Sequence, residues 1–406
     1  MLSRRNFIKS ISLMTGGFLL GCNFGMVDNS KNNSFIMPEE SEPHERTWMS
    51  FVANDYIWSK RQIPEVKRNL ALIARTIAKY EPVSMLVSPD DYDEAISLLE
   101  GLNSPLRGSP FAHGEPLRCG GSLRCRKWRG NPQDRNGSSH YPIQLIKFRT
   151  DDLWLRDTGP TFVKGSDGQK YAINFNFNGW GNKQEHTQDS KVANLIANTV
   201  NAKIITTNLV LEGGCFEVDG HGTAILTKSC VLNDNRNPNM SLVDVEEELK
   251  VLLGLKKIIW LEGIRGKDIT DGHTDFYARF SKQGEVIVSR ENYKKSYDYE
   301  VTRNNIQELK NAVDADGKKL NVVIIDTPNR INSTYGVDDF AAGYIGYYVC
   351  NNAVIMQSFG DSHADKNAKA IIAKAFPDRT IEQISINAIA SGGGSIHCAT
   401  QQEPKI

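Results

Sequence analysis

Cys398 is the residue whose setting points most directly to chemistry. It closes the run Ser391-Gly-Gly-Gly-Ser-Ile-His-Cys398, and short polar residues follow it to the chain end. Three consecutive glycines remove every side chain ahead of it. Such a run admits positive φ and close approach of a ligand. Sulfur attacks as thiolate and needs an open, polar setting, so a cysteine on a glycine-shaped turn is a candidate nucleophile. The competing reading is a small buried cysteine near a terminus.

Three other stretches carry polar groups in patterns that chemistry uses. Asp151-Asp-Leu-Trp-Leu-Arg-Asp-Thr-Gly-Pro160 is an acidic turn leading into a strand, and a capping cluster is its structural alternative. Leu211-Glu-Gly-Gly-Cys-Phe-Glu217 places a carboxylate, Glu212, before two glycines where the backbone bends tightly. Asp271-Gly-His-Thr-Asp-Phe276 sets His273 and Asp275 two apart. On a strand both would project from one face. His-x-Asp is also half of a metal site, but no third ligand at a fitting spacing is evident.

Together these stretches resemble the agmatine deiminase family, relatives of the bacterial peptidyl-arginine deiminases. The nucleophile motif Gly392-Gly-Gly-Ser-Ile-His-Cys-Ala-Thr-Gln-Gln-Glu-Pro404 is long and specific, and the other three motifs stand in the family's order. The likeness runs from about Met37 to Pro404. It implies Cys398 as nucleophile and His273 as general acid/base. Asp157 and Asp275 become the carboxylates that grip a guanidinium, and Glu212 orients the histidine or a guanidinium nitrogen. Trp180 and Trp154 are implied as substrate-binding walls, with Arg156 structural and paired to an acid. In Ala342-Gly-Tyr-Ile-Gly346 the last glycine departs from the asparagine common in relatives.

These implied roles cohere. A guanidinium is planar, and its N–H groups match carboxylates bidentately. Two acids would favour charge at its central carbon, a thiolate would attack there, and an imidazolium would protonate the departing nitrogen. The resemblance therefore implies hydrolysis of agmatine to N-carbamoylputrescine and ammonia, with no metal or organic cofactor. A peptidyl-arginine or other guanidine substrate keeps the same chemistry. A non-catalytic surface-binding lipoprotein is the reading from another class.

The elements that must position these groups recur along the chain. Helical spacing of apolar residues marks stretches over Pro64–Tyr80, Asp189–Val200, Ser241–Leu253, Glu300–Val313 and Ala364–Phe376. A further helix, capped by Ser88, runs through Leu102. Ser241 with Asp244 forms a loose capping box. A β-branched run follows each of the five, and alternating runs lie between them. The period of roughly 50–65 residues suggests repetition of one supersecondary unit. The resemblance implies an α/β fold, a five-bladed α/β propeller of the pentein type built from ββαβ units. A doubly wound α/β sheet is the alternative.

The chain's 406 residues carry 48 Lys and Arg against 48 Asp and Glu. Zero net charge gives no global signal for nucleic acid or an anionic surface. The expected partners are a small-molecule guanidine and, through an N-terminal lipid alone, a membrane. A homo-oligomer is compatible with the sequence. Ser3-Arg-Arg-Asn-Phe-Ile-Lys9 resembles a twin-arginine export signal. The apolar run Ile11 to Leu20 is too short to span a bilayer. Leu19-Leu-Gly-Cys22 resembles a lipoprotein processing site, which makes Cys22 the lipidated residue. The expected organisation is a signal peptide over 1–21, a polar tether over 22–36 and one catalytic domain over 37–404. Export permits disulfides. Cys119 and Cys125 are the plausible pair, and Cys215, Cys230 and Cys350 read as core. Residues 103–140 carry seven basic residues without apolar periodicity and read as a surface insertion.

Overall fold

A computed structural model describes residues 34–100, 140–331 and 340–406. Cys22, the export signal, the Cys119–Cys125 pair and nearly all of the basic insertion lie outside these residues.

The described residues form an α/β fold of five separate small sheets. One plan repeats. Two strands pair antiparallel, a helix follows, and a third strand returns parallel to the second. Thr161–Gly165 and Lys170–Asn174 pair in this way, and Lys203–Thr206 lies parallel to the latter. Phe216–Val218, Thr223–Thr227 and Lys257–Leu261 repeat it. Ala278–Lys282, Glu285–Arg290 and Asn321–Asp326 form the next unit, and Tyr348–Cys350, Ala353–Gln357 and Thr380–Ile384 the one after. Five separate sheets exclude one continuous doubly wound sheet.

The fifth unit joins stretches far apart in sequence. Gln401–Pro404 pairs antiparallel with His44–Phe51, and Val83–Val87 then adds parallel. Ile143–Lys147 extends this sheet by a fourth strand. The last residues after Cys398 are therefore an edge strand whose partner is read some 350 residues earlier. Phe35 and Ile36 pair with Gly165 and Lys164, so the fold takes in the last two residues of the expected tether.

Local sequence explains the helices. In Ile63–Ile77, Pro64 occupies the first turn, where its missing N–H costs nothing, and Glu65 complements the helix dipole. Its buried face is Val66, Leu70, Ile73 and Ile77. Leu242–Leu253 opens on a complete capping box between Ser241 and Asp244, and left-handed Gly254 ends it. The strand Tyr348–Cys350 is short. Tyr344 and Tyr347 are buried among aromatic rings rather than in a ladder, with Tyr344 on Phe359 and Tyr347 on Phe376.

The largest apolar cluster lies between the fifth sheet, the Ile63–Ile77 helix and the glycine-rich stretch. It includes Met49, Phe51, Leu70, Ile73, Trp58, Trp154, Ile396 and Cys398. The nucleophile candidate is thus anchored at the margin of a dry core.

Candidate active site

Cys398 sits in a turn between the short helix Asn387–Ala390 and the edge strand Gln401–Pro404. The glycines ahead of it serve packing more than ligand access. A Cβ on Gly392 would fall inside the Trp58 ring, and one on Gly394 inside the Trp154 ring. Gly393 alone of the three has positive φ, at 87°. Backbone groups pin the turn, with Arg156 N donating to Cys398 O at 3.1 Å. The Cys398 Sγ lies 3.3 Å from Ser395 Oγ and 3.8 Å from Asp275 Oδ2. Burial, with the Asp275 and Asp157 carboxylates nearby, pushes its thiol up to about 12.

Asp157 stands on the one-turn helix Leu155–Thr158. Its Oδ2 accepts from Trp180 Nε1 at 2.9 Å, and its Oδ1 from Gly214 N at 3.2 Å. Trp180 is held at φ 54°, a left-handed conformation uncommon for a bulky residue. Its indole is buried edge-on against Phe177, with ring centres 5.0 Å apart. It therefore aims the Asp157 carboxylate. Trp154 is buried beside Trp58 and the glycine run.

His273 and Asp275 do not lie on a strand, as their spacing suggested. Thr274–Phe276 is a 3₁₀ turn that His273 caps. Asp271 at φ 62° and Gly272 at φ 89° turn the chain just before it. The turn still brings the two side chains together, with His273 Nδ1 3.9 Å from Asp275 Oδ1 and 3.8 Å from Asp157 Oδ1. His273 Nε2 faces the other way, 3.2 Å from Glu212 Oε2. Gly214 runs between them, and any Cβ there would collide with His273 Nδ1 and crowd Asp275 Oδ2.

Burial alone would push the His273 imidazole down. The Asp157 carboxylate, aided by Cys230 and Glu212, outweighs it and holds His273 well above its usual range. Burial likewise opposes charge on Glu212, but Arg236, donating to both oxygens at 2.9 and 3.0 Å, brings it to about 2. Asp157 has no such cation. Burial, reinforced by Asp275 and Glu212 against the pull of His273, pushes it up to about 6.

Asp275 Oδ2 lies 2.7 Å from His397 Nδ1, whose Nε2 lies 2.9 Å from Glu40 Oε2. Glu40 also pairs with Arg156 and Arg279, each at 2.9 Å. The structural role expected for Arg156 is thus seen, with a partner 116 residues away. Glu40, His397 as the link to Asp275, and Arg236 are supports that motif reasoning misses. Arg236 reads in the sequence as part of a polar turn. Glu40 stands in an acidic opening segment where nothing local distinguishes it from its neighbours. Cys215 and Cys230, expected in the core, are buried but also border Glu212 and His273. His44 is buried against Glu81 at 3.1 Å, and its Nε2 meets the Glu40 backbone carbonyl at 2.8 Å.

The charge pattern states what the site lacks. Arg236 takes Glu212, while Arg156 and Arg279 take Glu40. Among the described residues, no lysine or arginine lies within ion-pair distance of Asp157 or Asp275. Asp275 Oδ1 is buried without a hydrogen-bond partner. A buried carboxylate oxygen left unpaired is costly. A planar cation seated between the two acids would satisfy it.

Comparison with known proteins agrees with this geometry. The profile of the Porphyromonas-type peptidyl-arginine deiminase family matches residues 36–404. A Legionella pneumophila protein is 34% identical over 378 residues, covering 92% of this chain and 97% of its own. Agmatine deiminase of Pseudomonas aeruginosa is 31% identical over 394 residues, covering 92% and 96%. Among solved structures, agmatine deiminase of Enterococcus faecalis superposes with a TM-score of 0.77 at 28% identity, covering 92% of this chain and 96% of that one. By sequence and by fold, the chain belongs to the Porphyromonas-type peptidyl-arginine deiminase family, alongside the agmatine deiminases.

Proposed function

We propose that the chain is a hydrolase of C–N bonds in linear amidines, an agmatine deiminase that converts agmatine and water to N-carbamoylputrescine and ammonia. The observation that carries this reading is the pair of buried acids with no lysine or arginine partner among the described residues, flanked by one thiol and one imidazole. Named relatives with this activity, matched over nearly their whole length, support it.

The chemistry follows from the charges. The guanidinium enters between Asp157 and Asp275 and offsets the part that these carboxylates add to burial in holding the Cys398 thiol up. The thiol gives its proton to solvent, so the net charge of the site is unchanged. The thiolate adds to the central guanidinium carbon. His273, protonated because Asp157 holds it so, donates its proton to a terminal nitrogen, which leaves as ammonia. A covalent S-thiouronium remains on Cys398. Neutral His273 then takes a proton from water as the oxygen adds to the same carbon. Collapse expels the Cys398 thiolate, the hydroxyl proton returns to the sulfur, and the ureido product is left. Glu212, pinned by Arg236, keeps the imidazole facing the acids.

Ammonia release is the test, with agmatine, free arginine and arginyl peptides compared. Turnover of agmatine alone is expected, and preference for an arginyl peptide would move the assignment to the peptidyl substrate. Cys398→Ser should fold yet lose most turnover, and His273→Ala should lose at least the ~10²–10⁴-fold typical of acid–base assistance. Mass spectrometry of acid-quenched wild type should show an adduct on the peptide bearing Cys398.

Three wider assignments belong to this reading. The five sheets form the blades of one five-bladed propeller, with the site where their inner edges meet. Residues 1–21 direct export by the twin-arginine route, and Cys22 carries lipid that tethers the catalytic domain to a membrane. Replacement of Cys22 by Ala should release the protein in soluble form. Continued membrane association of the processed chain would rule the lipid out.

A further inference from the structure

Behind His273, on the side away from Asp157 and Asp275, lies a second group of chemistry-bearing side chains. Glu212, Cys215, Cys230 and His273 each present one donor atom, and these atoms lie within 4.8 Å of one another. Cys215 Sγ is 3.2 Å from Cys230 Sγ and 2.9 Å from Glu212 Oε2. Cys230 Sγ is 3.8 Å from Glu212 Oε2, and His273 Nε2 is 3.2 Å from it. All four residues are buried. The proposed deiminase mechanism uses neither sulfur.

We propose that these four residues form a site for a thiophilic divalent cation of the zinc class, and that occupancy switches the enzyme off by claiming His273 Nε2. Four N, O and S donors suit a tetrahedral zinc ion, whose bonds run ~2.0–2.3 Å. At those lengths neighbouring donors stand roughly 3.3–3.8 Å apart, so small side-chain shifts fit the group to the ion. Outer partners are already in place. Arg236 holds Glu212 through both oxygens, so Oε1 stays with Arg236 while Oε2 turns to the metal. The Asp157 and Asp275 carboxylates stand 3.8 and 3.9 Å from His273 Nδ1, beyond hydrogen-bond distance but on the side where a metal-bound imidazole takes its outer support. The charges also balance. Each thiol releases its proton to solvent on binding, and so does His273 at Nε2, so two thiolates, one carboxylate and a neutral imidazole meet a divalent ion and the Arg236 cation, and the sum is zero.

Inhibition follows from the ring. Proton donation needs imidazolium, with hydrogen on both nitrogens. A metal on Nε2 takes the place of one of them. The binding half of the inference is independent of the reaction, while the inhibitory half rests on the proposed role of His273. They are therefore read separately.

Cobalt(II) is the spectroscopic probe, added to the full chain carrying Cys398→Ser so that the nucleophile cannot bind it. One equivalent should produce a thiolate-to-cobalt charge-transfer band. Cys215→Ser or Cys230→Ser in that background should weaken the band, and both together should abolish it. A missing band, or one indifferent to these changes, would overturn the site. Anomalous diffraction from zinc-soaked crystals of the wild-type chain needs no variant. A peak among the four donors is expected, and a peak only at Cys398 or elsewhere would overturn the proposal. For inhibition, the Cys215→Ser/Cys230→Ser chain is read against its own zinc-free ammonia release, since Cys230 helps hold the His273 charge. Its half-inhibiting zinc concentration should rise by more than the ~10–100-fold that loss of outer partners costs. Unchanged zinc sensitivity alongside an intact cobalt site would refute the switch and leave the site standing.

Discussion

The Asp157 carboxyl sets the acid limit of this site. Burial, with Asp275 and Glu212 pushing the same way against His273, raises it to about 6. Below that pH the group takes a proton and loses the charge that a guanidinium needs. KM for agmatine should therefore rise as pH falls through about 6, and Asp157→Asn should bind weakly without that acid limb. The sign for stability is opposite to that of an ordinary ion pair. A carboxyl whose folded-state pKa lies above its unfolded value takes up a proton more readily when folded, so its charge costs stability above about pH 6. Trp180 donates to Oδ2 and Gly214 to Oδ1, so in Asn one of these donors keeps its acceptor and the other meets an amide NH2. Relief of the buried charge, worth ~1.4 kcal/mol per tenfold change in proton affinity, is then offset by the lost hydrogen bond and the lost attraction to His273. An acid limb that survives in the variant would show that another group sets the limit.

Among elements, the glycine-rich turn is the most demanding. Trp154 leads directly into the one-turn helix bearing Asp157, and its ring fills the space that a Gly394 side chain would need. Gly394→Ala must displace that ring, and overpacking of this kind typically costs ~1–3 kcal/mol. Because the displaced ring adjoins the Asp157 turn, kcat/KM should fall even where circular dichroism shows the chain folded. Gly168→Ala is the contrast. Gly168 has φ 73° but nothing within 4 Å, so strain there should lower stability and leave kcat/KM alone. The five repeated helices were legible because their apolar faces are periodic and their caps, such as Ser241 with Asp244, are local. The His273–Asp275 turn was not, because His-x-Asp reads equally well as alternation along a strand. What bends it is the backbone of Asp271 and Gly272. The glycines were legible as unusual but not for their reason, since the indoles they meet lie some 240 to 330 residues away in the chain.

At the scale of the whole molecule, long separations carry the site. The motif residues could be read one by one, since each motif is short and distinctive. The polar scaffold between them could not, because its partners are brought together only by the fold. Residues 103–140 hold none of the four motifs. Their deletion behind a short Gly/Ser linker should keep turnover within about an order of magnitude, as closure entropy changes slowly with loop length. Glu40 is the opposite case. It accepts from Val349 N at 2.8 Å and meets Arg156, Arg279 and His397 from three distant parts of the chain. Burial alone would push its carboxyl up, but Arg279, His397 and Arg156 together hold it well below the usual range. Glu40→Gln keeps the size and removes the charge, leaving two buried guanidinium groups short of an anion. Breaking a buried pair in this way costs ~3–5 kcal/mol. His397 also loses the carboxylate behind it and with it the alignment of Asp275, so weaker agmatine binding should accompany the lower stability. Urea unfolding and KM measured on the same preparation test both halves. A variant with wild-type stability would show that Glu40 is not the charge that ties these segments together.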